Sequence, residues 1–374
     1  MNLLVCMKLS DRSLKYHIYP ISLLDEVDRI LIVRDQQGPE IKKVEYYCPP
    51  KWSLDMPVFA FFVRFLLMVY LSLKEKPALI HSYLLFPHGF LAFIVGKITR
   101  KRVAVSLIAG PLELYVLGKS PIEKYAYTKP LPKLSITGKI ILNILQKFDA
   151  IVVAGTMTEN YLLDKGIATD KIFRIPYVIV DSKCRPMHRN KVYDLIYVGR
   201  LAKVKHVEIV LKTAHKLVND YNLYNLKIAI VGDGFCCKKM KNLCKKMELV
   251  SNVDFLGYKN DIAFYFNKSK MSIITSERET GPLTMIESML CGVPVISSRC
   301  GDLIVDFLKD GYNGSIIDDY ADVEAYASEL NKILSNQKLL DNYSNNSMKI
   351  SQNLNAENVS GAWHTLFSKV MQQG

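Results

Sequence analysis

Short runs rich in valine, isoleucine and leucine alternate with helix-period segments along almost the whole of this 374-residue chain, and that rhythm restricts the folds open to it. In the first half the runs are NLLVCM (2–7), RILIVR (29–34), ALIHSY (78–83), RVAVSLI (102–108) and AIVVAG (150–155). Helical patterns fall near 57–74, 88–99, 135–147 and 156–165. Apolar runs of this kind belong to strands buried on both faces, and so to a parallel sheet covered by helices on either side.

The rhythm breaks once. Residues 174–192, RIPYVIVDSKCRPMHRNKV, carry two prolines and no helical period, which marks a linker. Alternation restarts with DLIYVG (194–199), a helix over 205–219, LKIAIVG (226–232), a helix over 236–248, VDFLG (253–257), MSIITS (271–276), a helix over 282–291, PVISS (294–298) and GSIID (314–318). The expectation is two α/β domains, 1–180 and 181–355, with parallel sheets facing across a cleft. An amphipathic helix over 356–374 closes the chain and packs back toward the first domain.

A composition of 49% hydrophobic and 23% charged residues is that of a folded chain with ample core. A formal charge of +13 points to an anionic partner: nucleic acid, an anionic membrane surface or a phosphorylated small molecule. The eight cysteines include no CxxC pair, and Cys236, Cys237 and Cys244 lack zinc-site spacing, so reduced thiols of a cytosolic protein are expected. MNLLVCMK reads as a first strand rather than a signal peptide. The most lipid-like stretch, residues 56–73, carries Arg64 at its centre, which suits a buried or membrane-surface helix better than a spanning one.

The chemistry concentrates in SERETGPLTMIESMLCGVPVIS (276–297). A buried strand ends at Ser276, ERETG forms a loop, and Pro282 fits the first helical position, where its missing N–H costs nothing. The N–H groups of Leu283 and Thr284 then point out of a helix start, a ready-made phosphate site. Glu279 lies ahead of that start and Glu287 follows it along the helix. Carboxylates accept from hydroxyls and repel phosphate, so the layout suits a ligand with phosphates in the middle and polyols on both sides. In YVGRLAKVKH (197–206), Arg200 and Lys205 supply the cations, Arg200 as a bidentate clamp and Lys205 as a point charge. Gly232 and Gly234 read as turn glycines.

Taken in order, GRL…K, IVGDG, VDFLGY and two glutamates with seven residues between them followed by GVPVI resemble the C-terminal half of family-4 retaining glycosyltransferases over residues 193–335. The resemblance implies the GT-B fold, with two Rossmann-like domains. It implies that Arg200 and Lys205 hold a donor diphosphate, that Glu279 contacts the donor sugar and that Glu287 takes the ribose hydroxyls. Gly281, Pro282, Leu283 and Thr284 would line the phosphates, and the backbone at Gly257 and Tyr258 would border the base. The donor would be a UDP- or GDP-sugar acting as substrate, with no cofactor and no metal. Transfer would be front-face, the leaving diphosphate helping to deprotonate the acceptor hydroxyl, with the protein stabilising charge and excluding water.

The first half departs from that family's pattern. Its first-strand loop has no glycine, and Lys8, Ser10 and Asp11 occupy the place. The loop after the fourth strand lacks the family's histidine, and Gly110 and Glu113 are the nearest equivalents. The usual Glu-Gly-Phe-Pro is here Glu279-Thr280-Gly281-Pro282, which leaves out an aromatic and alters the expected sugar pocket. His88, before a glycine at a helix start, is a candidate for acceptor binding or catalysis, whereas His81 reads as a core residue. Residues 56–73 together with Lys97, Arg100, Lys101, Arg102, Lys119, Lys124, Lys129, Lys133 and Lys139 suggest peripheral contact with an anionic cytoplasmic membrane face and a glycan or lipid-linked acceptor. Two other readings stand beside this one. The same fold could serve a nucleotide-sugar epimerase, or the basic chain could be a non-enzymatic nucleic-acid binder, for which the sequence offers no interleaved aromatic-basic strands.

Overall fold

The structure is a computed structural model that describes residues 1–115, 131, 133–179, 183–279 and 281–372. Lys119, Lys124 and Lys129 of the basic run, and Thr280 of the loop, lie outside the described residues. The chain divides into two compact units, one holding residues 1–115, 133–179 and 354–372, the other residues 183–279 and 281–353.

The first unit is built on strands β1 (Asn2–Cys6), β2 (Arg29–Val33), β3 (Val44–Tyr47), β4 (Leu79–Tyr83), β5 (Arg102–Ser106), β6 (Ala150–Val153) and β7 (Ile172–Arg174). Its helices are α1 (Asp11–Ser22), α2 (Lys51–Leu54), α3 (Pro57–Lys74), α4 (Phe90–Thr99), α5 (Ile136–Leu145) and α6 (Thr156–Asp164). The strands form a parallel sheet in the order β3-β2-β1-β4-β5-β6-β7. The buried valines, isoleucines and leucines of β1, β2 and β4 pack beneath Leu14, Ile18 and Ile21 of α1.

Elements α1, α2, β3 and β7 of this unit are not among the expected ones. The loop after β1 is short, residues 7–10, and leads into α1, with Ser10 as its N-cap, accepting from the Ser13 N–H at 3.3 Å. Its polar first turn and internal Pro20 hide the helical period, and the burial of Leu14, Ile18 and Ile21 holds it. Lys8 and Asp11 are taken up by ion pairs, Lys8 with Asp35 at 3.2 Å and Asp11 with Arg34 at 2.9 Å. Strands β3 and β7 sit at the two sheet edges.

The second unit repeats the plan with β8 (Tyr193–Val198), α7 (Val207–Asn219), β9 (Ile228–Val231), α8 (Cys237–Lys246), β10 (Val253–Gly257), α9 (Ile262–Asn267), β11 (Ser269–Ile274), α10 (Leu283–Leu290), β12 (Val295–Ser298), α11 (Asp302–Phe307) and β13 (Gly314–Ile317). Helices α12 (Val323–Leu334) and α13 (Gln337–Ser351) follow. Its parallel sheet runs β10-β9-β8-β11-β12-β13. The order reverses between β8 and β11, which therefore flank the topological switch point where open α/β sheets receive ligands.

The last helix, α14 (Ala356–Gln372), belongs to the first unit. Val359, Trp363, Leu366, Phe367 and Val370 enter that unit's core, and His364 meets Glu26 at 2.7 Å.

Candidate functional site

Because β8 and β11 are neighbours, the turn after one and the loop after the other leave the sheet side by side at its C-terminal edge. The turn from Gly199 to His206 carries Arg200 and Lys205, and the loop from Thr275 to Pro282 carries Glu279. Backbone and side-chain bonds stitch the two together. The Glu277 N–H donates to the Val204 carbonyl at 2.9 Å, and the Thr275 hydroxyl donates to the Lys205 carbonyl at 2.9 Å. The ends meet in an ion pair between Lys205 Nζ and Glu279 Oε1, with side chains only 20% and 16% exposed. Ser276 Oγ donates to the same Glu279 oxygen at 2.9 Å, so the carboxylate is held from two sides.

Behind the pair the side chains are buried. Cys300 is fully buried, and burial, with Glu279 adding to it, pushes its thiol up to about 12. Burial likewise raises the Tyr197 phenol well above its ordinary range, again with Glu279 nearby. The Tyr197 hydroxyl donates to the Arg200 carbonyl at 3.2 Å, which fixes the turn while the Arg200 side chain stays exposed.

The β9–α8 turn packs tightly against this one. The Leu201 N–H donates to the Asp233 carbonyl at 2.9 Å and the Cys236 N–H to the Leu201 carbonyl at 3.0 Å. A Cβ on Gly232 would lie 1.9 Å from the Gly199 carbonyl oxygen, and one on Gly234 would lie 2.4 Å from that of Leu201. These glycines therefore do more than turn the chain. They let two loops touch backbone to backbone.

Pro282 is the N-cap of α10 rather than its first helical residue, with ψ of 100°. The sequence rule placed it one position late, because proline's fixed φ suits the cap and the first turn alike. Leu283 and Thr284 open the helix with N–H groups that have no intrahelical acceptor, and Gly281, Leu283 and Thr284 are half-buried. Glu287, on the second turn, is completely buried. Gly257 ends β10 with φ of 70°, and its carbonyl accepts from the Gly232 N–H at 2.8 Å. Tyr258 beyond it is 74% exposed. Two strand spacings, roughly 10 Å, separate β10 from β8.

In the first unit, His88 lies in a tight turn over Leu85–Gly89 and is 5% exposed. Its Nδ1 is 3.5 Å from Cys6 Sγ, and burial, helped by Arg64, holds the imidazole down at about 4. His81 is a core residue, bonded to Ser106 Oγ at 2.9 Å between the rings of Tyr83 and Trp363. Glu113 is 2% exposed and accepts from the N–H groups of Leu85 and Ala109, at 2.5 and 2.7 Å, while burial pushes its carboxyl up to about 7. It binds two loops together, a role its spacing did not reveal. Gly110 beside it has φ of 59°.

Two Rossmann-like parallel-sheet units give the protein the GT-B fold, a likeness of fold that solved glycosyltransferase structures share. Residues 184–350, less than half of the chain, match the family described as Glycosyl transferases group 1. An uncharacterized glycosyltransferase of Haemophilus influenzae is 26% identical over 236 residues, which are 61% of this chain and 65% of that protein, just under two thirds of its length. The N-acetyl-alpha-D-glucosaminyl L-malate synthase of Bacillus anthracis is 23% identical over 320 residues, 82% of this chain and 78% of that one. Among solved structures, Anabaena Alr3699/HepE in complex with UDP superposes with a TM-score of 0.75 at 15% identity, covering 98% of this chain and all of that one, a likeness of fold.

Proposed function

We propose that the protein transfers a sugar, with retention and without a metal, from a UDP- or GDP-sugar to a hydroxyl of a glycan or lipid-linked acceptor. The observation that carries this reading is the Lys205–Glu279 pair beside the start of α10 at the switch point. A diphosphate seated there would meet Arg200, Lys205 and the N–H groups of Leu283 and Thr284. Charge that develops on the leaving diphosphate then falls on donors already in place, which is how such sites lower a barrier. In this reading Glu279 turns toward sugar hydroxyls once phosphate oxygens compete for Lys205, and Glu287 of α10 takes the ribose hydroxyls. The base would lie along Gly257 and Tyr258.

The acceptor side rests on α3. No described helix is long and apolar enough to cross a membrane. Arg64 faces inward, where it pairs with Asp35, and so does not interrupt the outer face. Trp52, Phe59, Phe62, Leu66, Tyr70 and Leu73 are all exposed, at spacings of three, four or seven residues. An apolar stripe of that kind, with Lys51 and Lys74 near its ends, suits the interfacial layer of an anionic cytoplasmic leaflet.

A thermal-shift panel of UDP, GDP and their sugars tests the donor reading. A rise in Tm with one base and its sugars is expected, lost in Arg200→Ala. No shift with any nucleotide would overturn it.

A further inference from the structure

His206 ends the cationic turn with φ of 46°, a backbone conformation that side chains other than glycine rarely adopt. Its ring accounts for the exception. Nδ1 lies 2.9 Å from Glu208 Oε1 at the start of α7, and Nε2 lies 3.3 Å from Glu277 Oε2 in the loop that carries Glu279. The Tyr320 ring covers one face with centroids 4.4 Å apart. The Thr275 hydroxyl reaches the His206 carbonyl at 3.1 Å, so backbone and side chain are both tied to the same loop.

The groups facing the imidazole are Glu208 on its own helix, Glu277 on the β11–α10 loop and the Tyr320 phenol after β13, with Lys205 adjacent in sequence. Lys239 of α8 acts on Glu208, and Asp319 acts on Tyr320. Only the protonated ring can donate to two carboxylates at once, since the neutral form has a single N–H.

We propose that His206 is a positioning residue whose imidazolium cross-links Glu208 to Glu277 and thereby sets the Lys205–Glu279 pair. The clamp deepens the donor-site reading above and rests on it for its purpose, though not for its existence. Burial pulls the ring's affinity for protons down, but the bonds to Glu208 and then Glu277 outweigh it and leave it raised. A raised folded value means that the clamp's stability is fully present below the unfolded value, about 6.5, and is lost as pH rises through the folded one.

The test begins on the protein without nucleotide. A proton-carbon titration of the histidine rings, with His206 assigned by its loss in His206→Gly, is expected to place it above about 6.5, and Glu277→Gln to lower it. A ring that titrates at or below that value, or that ignores Glu277→Gln, overturns the clamp. The second arm is the affinity for UDP and GDP. His206→Gly keeps the backbone at ease and should weaken binding about tenfold near pH 6.5, with the difference closing at higher pH. Equal affinity in variant and wild type overturns the positioning role. If neither nucleotide binds the wild type, the donor reading fails, while the ring titration still judges the cross-link.

Discussion

Lys205 and Glu279, separated by 74 residues in sequence, form an ion pair at the point where the second sheet's strand order reverses. Under the proposed donor reading, each partner of the pair takes another role once a donor arrives. A carboxylate beside a lysine both orders the cation and competes with phosphate for it. Glu279→Gln should therefore bind UDP or GDP at least as tightly as the wild type, while sugar transfer falls by roughly a hundredfold or more. Calorimetry and product release measure the two effects separately. Weaker nucleotide binding in the variant would show that Glu279 serves the diphosphate rather than the sugar.

The close approach of Gly232 to Gly199 gives a second expectation. A methyl group there meets backbone rather than a movable side chain, at a φ of 138° that already disfavours alanine. Gly232→Ala should push the two turns apart, lower Tm and weaken nucleotide binding together. Gly257→Ala has only its φ of 70° to contend with, since nothing lies near its absent Cβ, and should lower Tm less. Equal losses would mean that backbone strain rather than crowding governs both sites.

Much of this architecture was legible because buried parallel strands announce themselves. The strands β1, β2, β4, β5, β6, β8 and β9 each overlap one of the apolar-rich runs. What escaped lacks that signal. The strand β3, VEYY, is half-buried along its length, and β7 has three residues. Helices α9 and α11 are each six residues long, too short to show a period. At the site, the residue types and the loop-plus-helix layout could be read from spacing. The His206–Glu277 contact could not, because it depends on β8 lying beside β11, and strand order is written in no local pattern.

Buried histidines set an acid limit on the first unit. His81 is 3% exposed, and burial, with His17 adding to it, holds the ring at about 3. The unfolded chain takes up a proton near 6.5, so this stability is complete above about pH 6.5 and is lost as pH falls toward 3. The loss from His81 alone is roughly 3 kcal/mol by pH 4. His81→Phe keeps an aromatic ring against Tyr83 and Trp363 but leaves Ser106 without its ring partner. The variant should melt lower at pH 7.5 yet lose less on acidification. A pH dependence parallel to the wild type would locate the acid-labile group elsewhere.

The outer face of α3 separates a membrane contact from a merely solvated helix. Phe62 and Leu66 are 57% and 64% exposed and lie one turn apart, so replacing them removes little packing within the unit. On a bilayer each would bury its side chain, a gain of about 1.5–3 kcal/mol apiece. The double variant Phe62→Glu, Leu66→Glu should therefore keep its Tm within a degree or two of the wild type, as surface changes do. Its sedimentation with vesicles containing phosphatidylglycerol should fall roughly tenfold or more. Raising the salt should weaken binding of the wild type only partly, since the apolar stripe is insensitive to screening while the lysines at its ends are not. Wild-type protein that stays in the supernatant at low salt, or a double variant that sediments as well as the wild type, would remove α3 from the membrane and leave the lipid-linked acceptor without support.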